Sequence, residues 1–461
     1  MKRLVLTTLA AALAACTTVG PDYERPAVPL PVAYPGAPAG DAAIAADWWR
    51  GYGDAELERL VDKALGFNAD LAQAVARVEL AEAQLREAGG ARLPAVNLQA
   101  SAGRAQLGAG VPDNTSGRTV TGNDFQLALG VSYEIDFWGR VRRSTEAARA
   151  QLLASQASRD TVRLSVAALV SQGWFTLRAL DEQIAATQRT LKTREDGGRL
   201  VGLRLKAGTA SRLDAEQADI LRADATLQLR DLQRQRALAL SQLGLLTGDG
   251  SLDVPAGTLK ATLPAAPPPG LPSSLLDRRP DIRAAEEALV AANASIGVAR
   301  AAMFPTVSLT GALGQESREL SDLVKAPARF WNLGFGLALP LFDGGRIAAR
   351  VDQAGARQRE AVAAYQKAVS TAFKEVADAL ATAAAARESA PALGERAAAA
   401  ERALKLAQAR FDAGYSGYLE FLDAQRTATA AQLDVVRNRQ AQLAASVELV
   451  RALGGGWPGL N

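Results

Sequence analysis

Gly414-Tyr415-Ser416-Gly417-Tyr418-Leu419-Glu420-Phe421-Leu422-Asp423 interrupts what is otherwise a long helical pattern. Two closely spaced glycines, Gly414 and Gly417, disfavour an unbroken helix. After them Leu419, Leu422, Arg426, Thr429, Leu433, Val436, Gln440, Leu443, Val447 and Val450 follow in alternating steps of three and four residues. That spacing is the seam of a left-handed coiled coil. Before them an Ala-rich segment reaches back to Arg346. The stretch therefore predicts a helical hairpin with its tip near 414–419, and with two carboxylates, Glu420 and Asp423, just past the turn.

The same plan occurs earlier in the chain. A helix from Arg140 carries Val162, Val166, Leu169, Gly173, Leu177, Leu180 and Ile184 in the same rhythm. It reaches a tip near 208–213, opened by Gly208, and returns to Leu246-Thr247-Gly248. Asp214 follows Gly208 at the distance at which Glu420 follows Gly414. At a rise of 1.5 Å per residue such helices reach on the order of 100 Å. Kinks are expected at Gly197-Gly198 and at Pro391.

Each hairpin is preceded by another matching pair of segments. Asp70-Leu71 and Asp281-Ile282 open helices that end at Leu93-Pro94-Ala95-Val96-Asn97-Leu98 and Phe304-Pro305-Thr306-Val307-Ser308-Leu309. Apolar and polar residues then alternate with period two, which predicts strands at about 95–104 and 124–137, and again at about 306–314 and 331–341. Each is about as long as a tilted strand that crosses a bilayer. Each second strand runs into a glycine and an arginine, Gly139-Arg140 and Gly345-Arg346, before its helix begins. The chain thus reads as an internal duplication. The first repeat is 47–248, a Pro/Gly-rich linker is 249–274, the second repeat is 275–456, and 457–461 is a short tail.

At the N-terminus Lys2 and Arg3 precede an apolar run, Leu4 to Ala15, too short to remain as a spanning helix, so residues 1–15 read as a signal peptide. It ends in Leu13-Ala14-Ala15-Cys16, small residues directly before the chain's one cysteine. This pattern resembles a bacterial lipobox, and Cys16 is the expected lipidated residue of the mature chain. Residues 16–46, rich in Pro, Ala and Gly, read as an extended arm.

Composition removes whole classes of function. There is no histidine, so no His base, Ser-His dyad or His-ligated metal. One cysteine allows neither a disulfide nor a thiolate cluster within the chain. No phosphate loop or nucleophile elbow is present. The expectation is a non-enzyme with no cofactor and no metal. A net charge of +3 over 461 residues gives no nucleic-acid footprint.

The strands force association. Four strands cannot close a barrel, and an open sheet edge in hydrocarbon leaves backbone groups unpaired at several kcal/mol each. If the strands cross a membrane, several copies must share one barrel, and an open lumen favours three or more. A soluble sheet packed on helices, in a surface-anchored coiled-coil scaffold without a pore, remains the alternative that alternation alone leaves open.

Several further motifs, spread over nearly the whole mature chain, carry a family resemblance. They are Pro21-Asp22-Tyr23, Asp136-Phe137-Trp138-Gly139-Arg140, Arg278-Arg279-Pro280-Asp281-Ile282, Ala291-Ala292-Asn293-Ala294-Ser295-Ile296-Gly297, Leu422-Asp423-Ala424-Gln425 and Ala452-Leu453-Gly454-Gly455-Gly456-Trp457. With them the sequence resembles the TolC family of outer membrane factors, in its lipoprotein, OprM-like branch. The resemblance implies a fold mainly α with a transmembrane β part. In it, long coiled-coil hairpins form a periplasmic tunnel, and four strands per chain join a shared twelve-stranded barrel in a homotrimer. It implies residence in outer membrane lipid, docking to a periplasmic adaptor and an inner-membrane RND pump, and efflux of drugs or other small molecules. A protein-secretion duct is the alternative on the same fold.

The resemblance also implies a periplasmic gate, which maps onto Leu419 as an apolar constriction and onto Glu420, Asp423 and Asp214 as its acids. A ring of such carboxylates would repel itself and attract cations. In TolC itself an arginine and a tyrosine near the tip link to the acid matching Asp214. Ser416 and Phe411 stand at those positions here and cannot make those links. Arg410 and Arg212 are the neighbouring cations left to hold the tip.

Overall fold

The computed structural model describes residues 18–29, 34, 44–110, 115, 117–268, 270 and 275–457. Cys16 and the signal segment lie outside them. The chain forms two compact units. One contains the strands and comprises the described residues of Met1–Ala27 with Val78–Ser155 and Ala285–Tyr365. The other is helical and comprises the described residues of Val28–Arg77, Gln156–Ala284 and Gln366–Asn461.

The main elements, in chain order, are α1 (Ala55–Phe67), α2 (Ala69–Gly90), β1 (Ala95–Leu107), β2 (Val120–Ile135), α3 (Arg140–Lys206), α4 (Arg212–Thr247), α5 (Pro280–Ala301), β3 (Thr306–Ser317), β4 (Arg329–Ala338), α6 (Arg346–Asp412) and α7 (Tyr418–Ala452). The duplication is plain in the lengths. Both α3 and α6 have 67 residues, and their return helices have 36 and 35. Neither Gly197-Gly198 nor Pro391 interrupts its helix. Pro391 lies on an exposed stretch, where water can satisfy the carbonyl it leaves without a donor.

In the strand unit all four strands form one antiparallel sheet in the order β1-β2-β3-β4. The repeats meet at the β2–β3 pair. The first hairpin's strands run further than alternation predicts. The ladder continues through Gly103–Asp124 to Leu107–Val120, because backbone pairing does not need an apolar face. In turn β4 stops at Ala338, so Leu339 and Leu341 are not strand residues; Pro340 has no N–H to donate to a ladder.

The helical unit has its core where α1 meets the middle of α3 and the ends of α4 and α7. Tyr52, Leu57, Leu60, Trp174, Phe175, Leu243 and Leu443 are all fully buried there. Asp54 starts α1 by accepting from the amides of Glu56 and Leu57, and it also accepts from the Trp174 indole at 2.8 Å. The Thr429 and Gln440 intrusions in the α7 seam face α3, where they meet the hydroxyls of Thr190 (3.3 Å) and Thr176 (2.9 Å).

Candidate functional site

Both tips turn on a glycine in the left-handed region, Gly208 at φ 75° and Gly414 at φ 78°. After Gly414 the Tyr415 amide reaches back to the Arg410 carbonyl at 2.8 Å, closing the helix end. The return helices then start differently. Ser211 and Asp214 form a reciprocal capping box at the head of α4. Asp214 accepts from the Ser211 amide (2.9 Å) and hydroxyl (2.8 Å), so its carboxylate is already engaged. At the head of α7 the cap is Gly417, which has no side chain to offer. Glu420 is therefore left for another partner, and Arg410 Nε lies 3.2 Å from it. Asp423 pairs with Arg426 at 2.7 Å. Arg212 turns away to Glu216. Glu420 and Asp423 thus each carry an arginine from their own chain, and Arg410 is one of the two cations the sequence pointed to.

Leu419 is 63% exposed, while Leu422 beside it is buried. Leu419, Asp423 and Arg426 line a cavity of about 310 Å³ with Ile220 and Leu221 of α4. Beneath the ion pairs lies a cluster that the sequence reading did not identify. Phe411 is buried against Tyr418 and Phe421, with ring centroids at 5.3 and 5.7 Å, and the Arg204 guanidinium lies 4.6 Å over its ring. Phe411, which has no hydroxyl to offer, serves here as core. Burial raises the Tyr418 phenol above its ordinary value. Burial also lowers the pKa of Arg194, which donates to the Leu221 carbonyl at 2.6 Å. The Ser416 hydroxyl is buried without a partner.

The strand-to-helix junctions are also built on glycines and acids. Gly139 (φ 78°) and Gly345 (φ 83°) make the turns. Asp136 caps α3 through the amides of Val141 and Arg142, and Asp343 caps α6 through those of Gly345 and Ile347. Arg140 grips Glu134 with two bonds of 2.8 and 2.7 Å, whereas Arg346 reaches only the Asp343 carbonyl.

Register assigns the sheet faces. Leu98, Leu129, Leu313 and Trp331 stand opposite one another across all four strands, as do Val96, Val131, Gly311 and Leu333. Leu309 pairs with Phe335, and Val307 with Leu337. One face is thus apolar across its width, and Trp331 and Leu333 are 77% and 80% exposed on it. The opposite face carries Asn97, Gln99, Ser101, Gln126, Ser132, Thr310 and Asn332 among small residues. Cβ atoms there would crowd: one on Gly334 or Gly336 would come within 2.7 Å of the Thr310 or Ser308 hydroxyl. Among the described residues no strand pairs with the outer edge of β1 or of β4. No helix among the described residues is long and apolar enough to cross a membrane. Among those residues no group of three or more Cys, Asp or Glu gathers to hold a metal ion.

A sheet apolar on one face and polar on the other, joined to paired long helices, defines the class as a membrane channel subunit of the barrel-and-helix type. The chain belongs to the outer membrane efflux protein family, whose pattern matches residues 60–249 and 271–455. It is 40% identical over 456 residues to outer membrane protein OprJ of Pseudomonas aeruginosa, covering 97% of this chain and 95% of that one. It is 37% identical to the pyoverdine export outer membrane protein OpmQ of the same species, covering 99% and 97%. The crystal structure of the Campylobacter jejuni CmeC outer membrane channel superposes with a TM-score of 0.89 at 29% identity, covering 96% of this chain and 95% of that one. The chain is accordingly an efflux channel protein of the bacterial outer membrane.

Proposed function

We propose that three copies pool their strands into one twelve-stranded barrel and act as the exit duct of a tripartite RND-type pump. The duct carries drugs or other small molecules outward, performs no bond chemistry and needs no cofactor. A periplasmic adaptor and an inner-membrane pump are its partners, and a lipid on Cys16 adds an anchor. The observation that carries this reading is the sheet with one apolar face and two edges that no described strand pairs. Such a sheet is stable in hydrocarbon only when its edges are paired by other copies. The small and polar face then lines the lumen.

Leu419, Glu420 and Asp423, with Asp214 nearby, close the periplasmic end in this reading, held by the Arg410–Glu420 pair and the Phe411 cluster. The experiment is planar-bilayer conductance of the purified trimer against the Leu419→Ala/Asp423→Ala double variant. The wild type should be mostly closed and the variant leaky. A double variant as tight as wild type at normal trimer yield would sink the gate assignment. A protein that stays monomeric and soluble without detergent would sink the duct itself.

A further inference from the structure

Residues 18–25 have no regular structure, yet nearly every one of them is tied down. The Val19 amide donates to the Trp138 carbonyl at 3.0 Å. Asn293 donates to the Pro21 carbonyl at 3.0 Å. Asp22 pairs with Arg143 at 2.6 Å. Arg25 grips the buried Glu286 carboxylate with two bonds of 2.7 and 2.9 Å, and the Tyr23 hydroxyl donates to the same group at 3.1 Å.

Two close approaches complete the fit. A Cβ on Gly139 would lie 2.2 Å from the Thr18 methyl. A Cβ on Gly20 would lie 2.5 Å from the Gly297 Cα, and one on Gly297 would lie 2.7 Å from the Val19 carbonyl. Gly297 sits inside α5, where glycine is a poor helix former, so its presence needs a reason. The passing segment supplies one, together with its ion-pair partner Arg143, whose Cγ would lie 2.8 Å from the same Cβ.

The segment breaks the symmetry of the duplication. On the α3 side it touches Gly139 and Arg143, from the first repeat. On the α5 side it touches Glu286, Asn293 and Gly297, from the second. Their counterparts in the first repeat are Val75, Glu82 and Arg86: Val75 has no carboxylate where Glu286 stands, Glu82 has no amide donor where Asn293 stands, and Arg86 leaves no gap where Gly297 does. A Cβ on Gly345, the counterpart of Gly139, would meet nothing within 4 Å among the described residues. The two anchor points flank one joint. Trp138 follows the end of β2, α5 leads into β3, and β2–β3 is the pair that unites the repeats.

We propose that Thr18–Arg25 is a clasp that holds the two repeats together at the foot of the sheet, so that the four strands meet neighbouring copies as one preformed sheet. This rests on the shared-barrel reading. The clasp acts on assembly and leaves the finished pore unchanged.

Gly297→Ala gives a test of sign for the packing of the segment and its partner Arg143 against α5. Helix propensity alone raises stability, because alanine replaces glycine inside a helix. The clasp predicts the opposite: a smaller trimer fraction after detergent extraction and a lower trimer dissociation temperature, with unchanged single-channel conductance in the trimers that form. Arg25→Gln and Glu286→Gln should each lower the trimer fraction, and the double variant should be no worse than the worse single one. A Gly297→Ala protein that dissociates at a higher temperature than wild type, or glutamine variants whose effects simply add, would overturn the clasp. Clasp variants that trimerise like wild type refute the clasp alone. A wild-type chain that never trimerises refutes both the clasp and the shared barrel.

Discussion

Two kinds of contact hold the tip of α6 and α7, and in the gate proposed above they should contribute unequally to keeping it shut. The Arg410–Glu420 pair is more than half exposed on both sides. Exposed pairs contribute about 0.2–1 kcal/mol each. If the three pairs of a trimer must part together, the sum is roughly 0.6–3 kcal/mol, a factor of about 3 to 150 in the closed-to-open ratio. Phe411 is 8% exposed and packed on two aromatic rings. Truncating such a side chain to alanine costs about 3–5 kcal/mol at a single site. One Phe411 therefore matches or exceeds all three ion pairs.

The perturbations are Arg410→Gln and Phe411→Ala, with Phe411→Leu, a smaller truncation, as a control expected to cost less than Phe411→Ala. The assay is open probability in planar bilayers at two salt concentrations, on protein confirmed as trimer by size. Phe411→Ala should raise open probability far more than Arg410→Gln. Wild type in molar salt should resemble Arg410→Gln, because the screening length falls to about 3 Å there. The Phe411→Ala effect should persist in salt. If Arg410→Gln opens the channel as much as Phe411→Ala does, or if salt alone opens wild type to the Phe411→Ala level, then electrostatics holds the tip and the reasoning is wrong.

The sheet faces and the helical core supply two more predictions. Leu333→Arg puts a charge on the apolar face and should cost on the order of 2–4 kcal/mol near mid-bilayer, read as lost trimer. Asn332→Arg, one residue away on the polar face, should leave trimer yield intact and shift the reversal potential towards anions. Glu448, hydrogen-bonded by Arg451, has its carboxyl held below the ordinary 4.5, against the effect of its burial. A depressed folded value means that the stabilisation is complete above 4.5 and is lost as pH falls through the lower folded value. Glu448→Gln should therefore melt earlier than wild type at neutral pH by circular dichroism, and the gap should close in strong acid.

What the sequence made legible follows from the range of each signal. Gly208, Gly414 and the three-four rhythm after them are local, so both hairpins and both tips are readable directly. Alternation through Val96–Ala102 and Trp331–Leu337 is equally local, and it separates the two sheet faces before any pairing is known. The limits of the strands are less readable, because the Gly103–Leu107 ladder is held by backbone groups that leave no apolar trace. The tip contacts are harder still. Arg410 and Glu420 meet only because the turn folds back, and Gly417 matters by lacking the cap that Ser211 supplies. Phe411 read as a missing link when judged by chemistry alone, whereas in place it is the centre of the packing. The clasp is the extreme case. Pro21-Asp22-Tyr23 could be quoted as a motif, but its partners lie more than a hundred residues away and in two repeats. Duplication makes the hidden part tractable. Where two copies of one plan differ at matching positions, as Glu286 does from Val75 or Gly417 from Ser211, the difference marks a contact that the shared fold does not require. Those are the positions where this chain's own behaviour should be sought.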